Sequence, residues 1–179
     1  KSEKSEAESR ADEEIPKVTE KPIDNWTLYY KSSHELKEIE DESIDLICTS
    51  PPYYQARAYS NNKNELGLED TVDEYVEKLS NHLDACFRVL SQRGSCWINM
   101  GDTYTDGSLV MAPQKLIIEL QKKRPWYLRN TVIWYKKNRK PMGKRKVMTP
   151  SYEFIFMMTK NKTDYIYDEF IRTNHSIRQ

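Results

Sequence analysis

The chain has 179 residues, of which 37% are apolar and 31% charged, and its 28 basic and 28 acidic side chains cancel. This length predicts one domain with a single core, and no apolar run is long enough to cross a bilayer, so a membrane protein is not expected. The cysteines Cys48, Cys86 and Cys96 are far apart in apolar patterns. They predict core thiols in an intracellular protein, not a disulfide framework or a metal site.

The sequence divides into a tail and a domain. Residues 1–22 are charged, small or polar, and they cannot bury enough surface to offset the entropy of ordering, so we expect a disordered tail before a domain at 23–179. In that domain, "WTLYY" at 26–30 has strand-forming side chains, and "SSHELKEI" at 32–39 is a candidate for a short helix. "SIDLICTS" at 43–50 is a continuous apolar strand of the kind that is buried on both faces.

The clearest helix follows Thr71. Thr71 and Glu74 form a candidate capping box, and apolar side chains recur at helical spacing as far as Phe87. "RGSCWINMGDTY" then predicts a turn, a strand at Ser95–Asn99 and a Gly-Asp pair beyond it. "APQKLIIELQKK", with Pro113 in its first turn, predicts a second helix.

Two more strands, "LRNTVIWYKK" and "SYEFIFMMT", are joined by a loop that Pro141 and Gly143 mark. Strands therefore alternate with helices until this final pair. That order predicts an α/β fold with a mostly parallel sheet and an antiparallel strand near one edge. Between residues 121 and 163 the only acidic residue is Glu153. This basic segment is either a solvated surface or a contact for an anionic partner.

The most informative stretch is "TSPPYY" at 49–54, directly after the apolar strand. Pro51 and Pro52 lack an N–H and have a fixed φ, so they end the strand and stiffen the loop. Ligands of open α/β sheets bind at the carboxyl ends of strands, which makes this loop the candidate site. The alternative is an ordinary strand-ending turn, because such short motifs recur by chance.

The polar atoms of this loop suit an exocyclic amino group on a flat ring. Ser50 Oγ and the Pro51 carbonyl offer two acceptors side by side, and Tyr53 offers a face for stacking. Cytosine N4 and adenine N6 are amines of this kind, and their nitrogen becomes nucleophilic when its hydrogens are held out of the ring plane. A base in a duplex reaches such a pocket only by flipping out, and the basic segment would then hold phosphates.

Three stretches resemble a known family: "SIDLICTSPPYY", "RVLSQRGSCWINMGDTY" and "RNTVIWYKKNRKPMGKRKVMTPSYEFIFMMTK". They are similar to successive catalytic-half motifs of the permuted, beta-type amino DNA methyltransferases, and the resemblance covers about Trp26 to Lys160. It implies a Rossmann-like class I methyltransferase fold, S-adenosyl-L-methionine as cofactor, DNA as partner and a cytoplasmic or nucleoid-associated location. Ser50 resembles the version usual in enzymes that make N4-methylcytosine, whereas Asp is usual for N6-methyladenine.

The resemblance also assigns roles to residues. Ser50, Pro51, Pro52 and Tyr53 are the expected catalytic residues, and Ser50 and Pro51 are expected to contact the cofactor. Asp102 is a further cofactor candidate, with a loop-capping role as its alternative. The candidates for DNA contact are aromatic or basic: Tyr54, Arg57, Lys136, Lys137, Arg139, Lys140, Lys144, Arg145 and Lys146.

Two features depart from the family pattern. "YYKSSHEL" stands where family members carry a Gly-Asp pair associated with the cofactor, and no glycine-rich cofactor motif follows Lys160. The chain thus matches the catalytic half, and we expect a missing segment of a longer protein or a second chain to complete the cofactor site. The alternative to an enzyme is a non-catalytic DNA-binding or regulatory subunit that retains the fold.

Overall fold

The structure is a computed structural model, and it describes residues 25–59, 65–138 and 147–167. Residues up to Lys31 form one compact unit and the rest of the chain a second. Residues 25–31 contain no helix or strand, and Trp26 and Leu28 are exposed, so the predicted strand at "WTLYY" is wrong. Strand-forming side chains need a partner strand and an apolar surface before they form a strand.

The second unit has two helices and six strands within the described residues. In chain order they are β1 (Ile44–Thr49), α1 (Val72–Val89), β2 (Leu90–Met100), β3 (Tyr104–Thr105), β4 (Ser108–Leu109), α2 (Ala112–Lys123), β5 (Tyr127–Tyr135) and β6 (Tyr152–Thr159). The helices predicted after Thr71 and at Pro113 are confirmed. In the described residues, neither helix is long and apolar enough to span a membrane.

Two of these strands were missed by sequence reasoning. β3 and β4 form a hairpin whose turn residues, Asp106 and Gly107, have positive φ values of 51° and 80°. Asp-Gly is the residue pair that such a tight turn favours. β2 also begins at Leu90, directly after α1, instead of at Ser95.

Four strands form one sheet in the order β1-β2-β6-β5. β1 is parallel to β2, and β6 is antiparallel to both of its neighbours. Three strands therefore point in one direction and β6 alone opposes them, one position inside the edge. The predicted α/β fold, mostly parallel with an antiparallel strand near one edge, is confirmed.

The start of α1 is fixed by the predicted capping box. Glu74 N donates to Thr71 Oγ1 at 3.2 Å, and Thr71 N donates to the Glu74 carboxylate at 3.3 Å. The apolar stripe that follows, including Tyr75, Leu79 and Leu83, is buried in one core with side chains of the sheet and of α2. The capping signal and the stripe together place α1 over one face of the sheet.

The sheet has a covered face and an open face. On the covered face, Cys96, Ile98 and Met100 of β2 are buried beneath α1 and α2. Side chains alternate between the faces of a strand, so the intervening residues lie on the open face. There Leu46 of β1 is 61% exposed and Cys48 is exposed. The predictions that β1 is buried on both faces and that Cys48 is a core thiol are wrong, because β1 is an edge strand.

Residues 32–39 form turns instead of the predicted helix. Arg88 of α1 donates to the carbonyl oxygens of Glu35, Leu36 and Ile39 at distances of 2.8 to 3.1 Å. Leu36 also has a positive φ of 49°. These carbonyls are satisfied by a guanidinium distant in sequence, and a helix is not needed to pair them.

Candidate active site

The Ser50–Tyr53 loop follows the carboxyl end of β1. Pro51 is buried and Ser50 is exposed. Tyr75 of α1, which is fully buried, donates its hydroxyl to the Pro52 carbonyl at 2.7 Å. Burial raises the pKa of Tyr75, so this hydroxyl keeps its proton. The loop is thus anchored to α1 from below and presents Ser50 to solvent.

Gly67 anchors the loop a second time. Its φ is +99°, and a Cβ there would lie 3.0 Å from the Tyr53 carbonyl oxygen. The Gly67 carbonyl accepts a hydrogen bond from Gln55 N at 2.6 Å. Glycine alone combines this backbone conformation with so close an approach.

The Tyr53 hydroxyl lies in a polar network formed by Ser50, Tyr53, Asn99, Lys136 and Glu153, which we call the Tyr53 network. Tyr53 donates to Glu153 Oε2 at 2.8 Å. Asn99 Nδ2 donates to Tyr53 Oη at 3.0 Å and to Glu153 Oε2 at 2.9 Å. Lys136 Nζ lies 2.7 Å from Glu153 Oε1, and Ser50 Oγ lies 3.4 Å from Tyr53 Oη. Three strand ends therefore converge on one phenol.

The ionisation states of the Tyr53 network are well defined. Burial, helped by the nearby Glu153 carboxylate, raises the pKa of Tyr53 to about 12, so the phenol is neutral. Burial alone would raise the pKa of Glu153, but hydrogen bonds from Lys136, Asn99 and Tyr53 outweigh it and hold that pKa below its usual value. At neutral pH a neutral phenol thus faces an ionised carboxylate.

The Tyr53 ring packs against Gly101, which follows β2. A Cβ at Gly101 would lie 2.9 Å from Tyr53 Cε2 and 3.1 Å from Cδ2. No side chain fits at this position unless the ring moves. The ring is therefore held along one edge by Gly101 and at its hydroxyl by the Tyr53 network.

The loop contributes to two cavities. One, of about 420 Å³, is lined by Tyr53, Asp102, Tyr104, Lys136, Tyr152 and Glu153 among others. The other, of about 700 Å³, is lined by Ser50, Pro51, Pro52, Ile47, Leu66 and Leu83 among others. The Ser-Pro-Pro-Tyr segment thus joins a polar, aromatic cavity to a larger, more apolar one.

Asp102 lies just beyond β2, but its carboxylate is occupied by backbone N–H groups. Oδ1 accepts from Thr103 at 3.0 Å and from Ala112 at 3.2 Å, and Oδ2 accepts from Met111 at 3.0 Å. Met111, the residue before α2, has a positive φ and no side-chain cap of its own. Asp102 therefore caps α2, which is the loop-capping alternative, and we do not carry its cofactor role further.

The candidate DNA contacts have different environments. Tyr54 is only 3% exposed, and its hydroxyl donates to the Asp70 carbonyl at 3.1 Å. The prediction that Tyr54 contacts DNA is wrong, because a side chain packed in the core cannot reach a duplex. Arg57 and Lys137 are exposed, whereas Lys136 is paired with Glu153. The other candidates lie outside the described residues: Arg139, Lys140, Lys144, Arg145 and Lys146.

Sequence reasoning missed the roles of Asn99 and Glu153. In the β2–β6 register Asn99 lies opposite Ile155, and Glu153 lies two residues from Ile155 on the same face. Asn99 gave no local signal. The signal for Glu153 was its isolation as the only acidic residue between 121 and 163, since a lone carboxylate in a basic segment indicates a specific partner.

The fold and site define a class I methyltransferase. The structure of PvuII DNA methyltransferase (cytosine-N4-specific) matches with a TM-score of 0.62 at 20% identity, over 80% of this chain and 51% of that one. TTHA0409 of Thermus thermophilus, a DNA modification methylase solved with S-adenosyl-L-methionine, matches with a TM-score of 0.57 at 19% identity, over 82% of this chain and 60% of that one. The Rossmann-like class I methyltransferase fold is thereby confirmed.

Sequence comparison identifies the family. The DNA methylase profile of the N6/N4 type matches residues 44–178. The Type II methyltransferase M.SfiI of Streptomyces fimbriatus is 34% identical over 169 residues, which are 84% of this chain and 40% of that protein. The chain belongs to the N6/N4 DNA methylase family, and the predicted resemblance is confirmed. It spans about half the length of the proteins that it matches.

Proposed function

We propose that the protein containing this chain is an S-adenosyl-L-methionine-dependent DNA methyltransferase that methylates an exocyclic amino group, cytosine N4. The observation that carries this proposal is the Ser50–Tyr53 loop. It presents an exposed hydroxyl beside a proline carbonyl at the end of a parallel strand, with an aromatic ring fixed next to them. Membership in the DNA methylase family supports the reaction. The choice of cytosine rests on Ser50.

The cavity beside Tyr53 is our candidate site for the flipped base. Its volume of about 420 Å³ is ample for one base, and it offers the rings of Tyr53, Tyr104 and Tyr152. Tyr53 would stack on the base, and the two amine N–H groups would donate to Ser50 Oγ and the Pro51 carbonyl. The amine would then lie where the two cavities meet.

The larger cavity is our candidate for part of the cofactor site. It lies at the carboxyl end of β1, and its mixed lining of Ile47, Leu66 and Ser50 suits a nucleoside-like ligand. When bound there, S-adenosyl-L-methionine supplies an electrophilic methyl group.

The chain's own residues would prepare the amine for methylation. Ser50 Oγ and the Pro51 carbonyl hold both hydrogens out of the ring plane, which localises the nitrogen lone pair toward the larger cavity. The rigid Pro51-Pro52 backbone and the Tyr75 anchor fix these acceptors, so positioning is the main catalytic effect. No covalent intermediate with the protein is needed.

The cofactor site is completed, in our proposal, by further polypeptide on the open face. β1 is an edge strand, with Leu46 61% exposed and Cys48 exposed. A strand this apolar is generally paired and covered on both faces in a parallel sheet. We infer that a further segment of a longer protein, or a second chain, packs on β1 and supplies the rest of the site.

Basic side chains around the loop would bind the DNA backbone. Arg57 and Lys137 are exposed near the two ends of the site, and they are our described candidates for phosphate contact. Lys136 is more constrained, because Glu153 already neutralises its charge.

The experiment begins with the native protein and any co-purifying chain, whose intact masses are measured first. The sample is then incubated with tritium-labelled S-adenosyl-L-methionine and DNA, and the DNA is digested to nucleosides. We expect label in N4-methylcytosine. Label in N6-methyladenine would retain the reaction and overturn the base. Salt-dependent DNA binding without transfer would overturn the enzyme in favour of a regulatory subunit.

A further inference from the structure

We propose that Glu153 is a positioning residue that directs the Ser50 hydroxyl, through Tyr53, so that Ser50 accepts a hydrogen bond from the target amine. This role rests on the proposed function. A serine hydroxyl has one hydrogen and two lone pairs, so it can meet an amine either as a donor or as an acceptor. Only an acceptor can bind an amine N–H. The site therefore needs a device that turns the Ser50 hydrogen away from the substrate.

The device begins with the proton of Tyr53. The phenol has a single hydrogen, and the Glu153 carboxylate, 2.8 Å from Tyr53 Oη, can only accept. The Tyr53 hydrogen must therefore point to Glu153. What remains on Tyr53 Oη is its acceptor capacity, part of which is used by Asn99 Nδ2 at 3.0 Å.

Ser50 is the next member of this chain of hydrogen bonds. Its Oγ lies 3.4 Å from Tyr53 Oη, and either atom could donate as far as their distance shows. Since the Tyr53 proton is committed to Glu153, Ser50 must be the donor. Its lone pairs then point away from Tyr53, toward the place proposed for the amine. A contact of this length is typical of a catalytic hydrogen bond that tightens when substrate binds.

Lys136 keeps the first link in the required direction. It lies 2.7 Å from Glu153 Oε1, while the Glu153 side chain is only 15% exposed. A protonated carboxyl could donate to Tyr53 and reverse the order of donors, and the ammonium group prevents this by favouring the ionised form. Lys136 thus has a specific local partner, which a phosphate-binding lysine would not need.

The decisive variant is Glu153→Gln in the native protein. Its amide N–H can donate to Tyr53 Oη, which would let Tyr53 donate to Ser50 and point the Ser50 hydrogen at the amine. We expect the transfer rate at saturating substrates to fall about 10- to 100-fold while KM for DNA stays within about twofold. The matched control is Glu119→Gln, which removes the carboxylate of the exposed Glu119–Lys122 pair on α2 and should leave transfer unchanged.

A double-mutant cycle separates this role from a structural one. Tyr53→Phe keeps the ring but removes the link, so it should cost about as much as Glu153→Gln, and adding Glu153→Gln to Tyr53→Phe should change the rate less than about twofold. Losses that multiply, or an unchanged rate in Glu153→Gln, would overturn the role of Glu153 alone. A wild-type protein without any transfer would overturn the proposed function and this role with it.

Discussion

The covered and open faces of the sheet differ in what their side chains do. On the covered face, Cys96, Ile98 and Met100 fill a core beneath two helices, and burial accounts for their residue types. At one end of the open face, Asn99 and Glu153 form hydrogen bonds to the hydroxyl of a half-buried tyrosine. The difference shows that the helices and the covered face provide the stability, whereas the open face carries the chemistry. Substitutions on the two faces should therefore affect different measurements.

The largest expected effect is on the core. Leu79→Ala removes a fully buried side chain of α1 and should lower the free energy of unfolding by about 2–5 kcal/mol, because a cavity remains. Urea denaturation followed by circular dichroism measures it. The control is Ile118→Ala on the exposed side of α2, which should cost less than about 0.5 kcal/mol. Equal losses in the two variants would contradict the packing described here.

The next effect separates chemistry from folding. Tyr53→Ala removes the ring proposed to stack on the base, which should lower the transfer rate about 10- to 100-fold, since base–aromatic stacking is worth about 1–3 kcal/mol. The free energy of unfolding should change less than in Leu79→Ala. Tyr30→Ala, at a fully exposed tyrosine, serves as the control for both assays. Normal transfer by Tyr53→Ala would remove this loop from the active site.

Asp102 tests whether every residue at the site end acts in the chemistry. Its carboxylate caps α2, so Asp102→Ala should lower the free energy of unfolding by about 1–2 kcal/mol. Cofactor affinity, measured by calorimetry on the folded protein, should stay within about twofold. Unchanged stability with weakened cofactor binding would instead restore the cofactor role predicted from the sequence.

The Lys136–Glu153 pair predicts a smaller, pH-dependent effect. The pKa of Glu153 is lower in the folded protein than usual, so its stabilisation is present above the usual glutamate pKa and is lost as pH falls through the lowered pKa. Lys136→Met should therefore cost about 1 kcal/mol or less at neutral pH, and the difference from wild type should shrink toward about pH 3. Unfolding at several pH values measures it, with Lys137→Met as the control. A constant difference would exclude the pair as its cause.

The smallest effect concerns the DNA backbone. Lys137→Ala removes one exposed charge and should reduce the slope of log affinity against log salt by about 0.9 if that lysine contacts one phosphate. Fluorescence anisotropy at several salt concentrations gives the slope. Lys37→Ala, which removes an exposed lysine paired with Glu35, should leave it unchanged, and identical slopes for both variants would place Lys137 off the DNA.

Elements with local determinants could be predicted from the sequence. The Thr71–Glu74 capping box and Pro113 set the starts of both helices, and each signal lies within four residues of the boundary that it fixes. The helix predicted at 32–39 failed for the opposite reason. Its carbonyls pair with Arg88, about fifty residues away, and no local pattern shows that contact.

The candidate site could be predicted only in part. The Ser-Pro-Pro-Tyr loop was visible because prolines after an apolar strand change local geometry. The fates of Tyr53 and Tyr54 were not, because one ring reaches Asn99 and Glu153 while its neighbour enters the core beside Tyr75. Those contacts depend on how β1, β2 and β6 are placed beside one another, which a single segment does not encode.

The most direct test of the central claim is the single-turnover transfer rate of Ser50→Ala with labelled S-adenosyl-L-methionine, beside Ser43→Ala as a control at another exposed serine. If Ser50 orients the amine, its variant should transfer methyl about 10²–10³-fold more slowly while binding DNA as wild type does. A Ser50→Ala protein that methylates DNA at the wild-type rate would contradict the assignment of this loop as the site of methyl transfer.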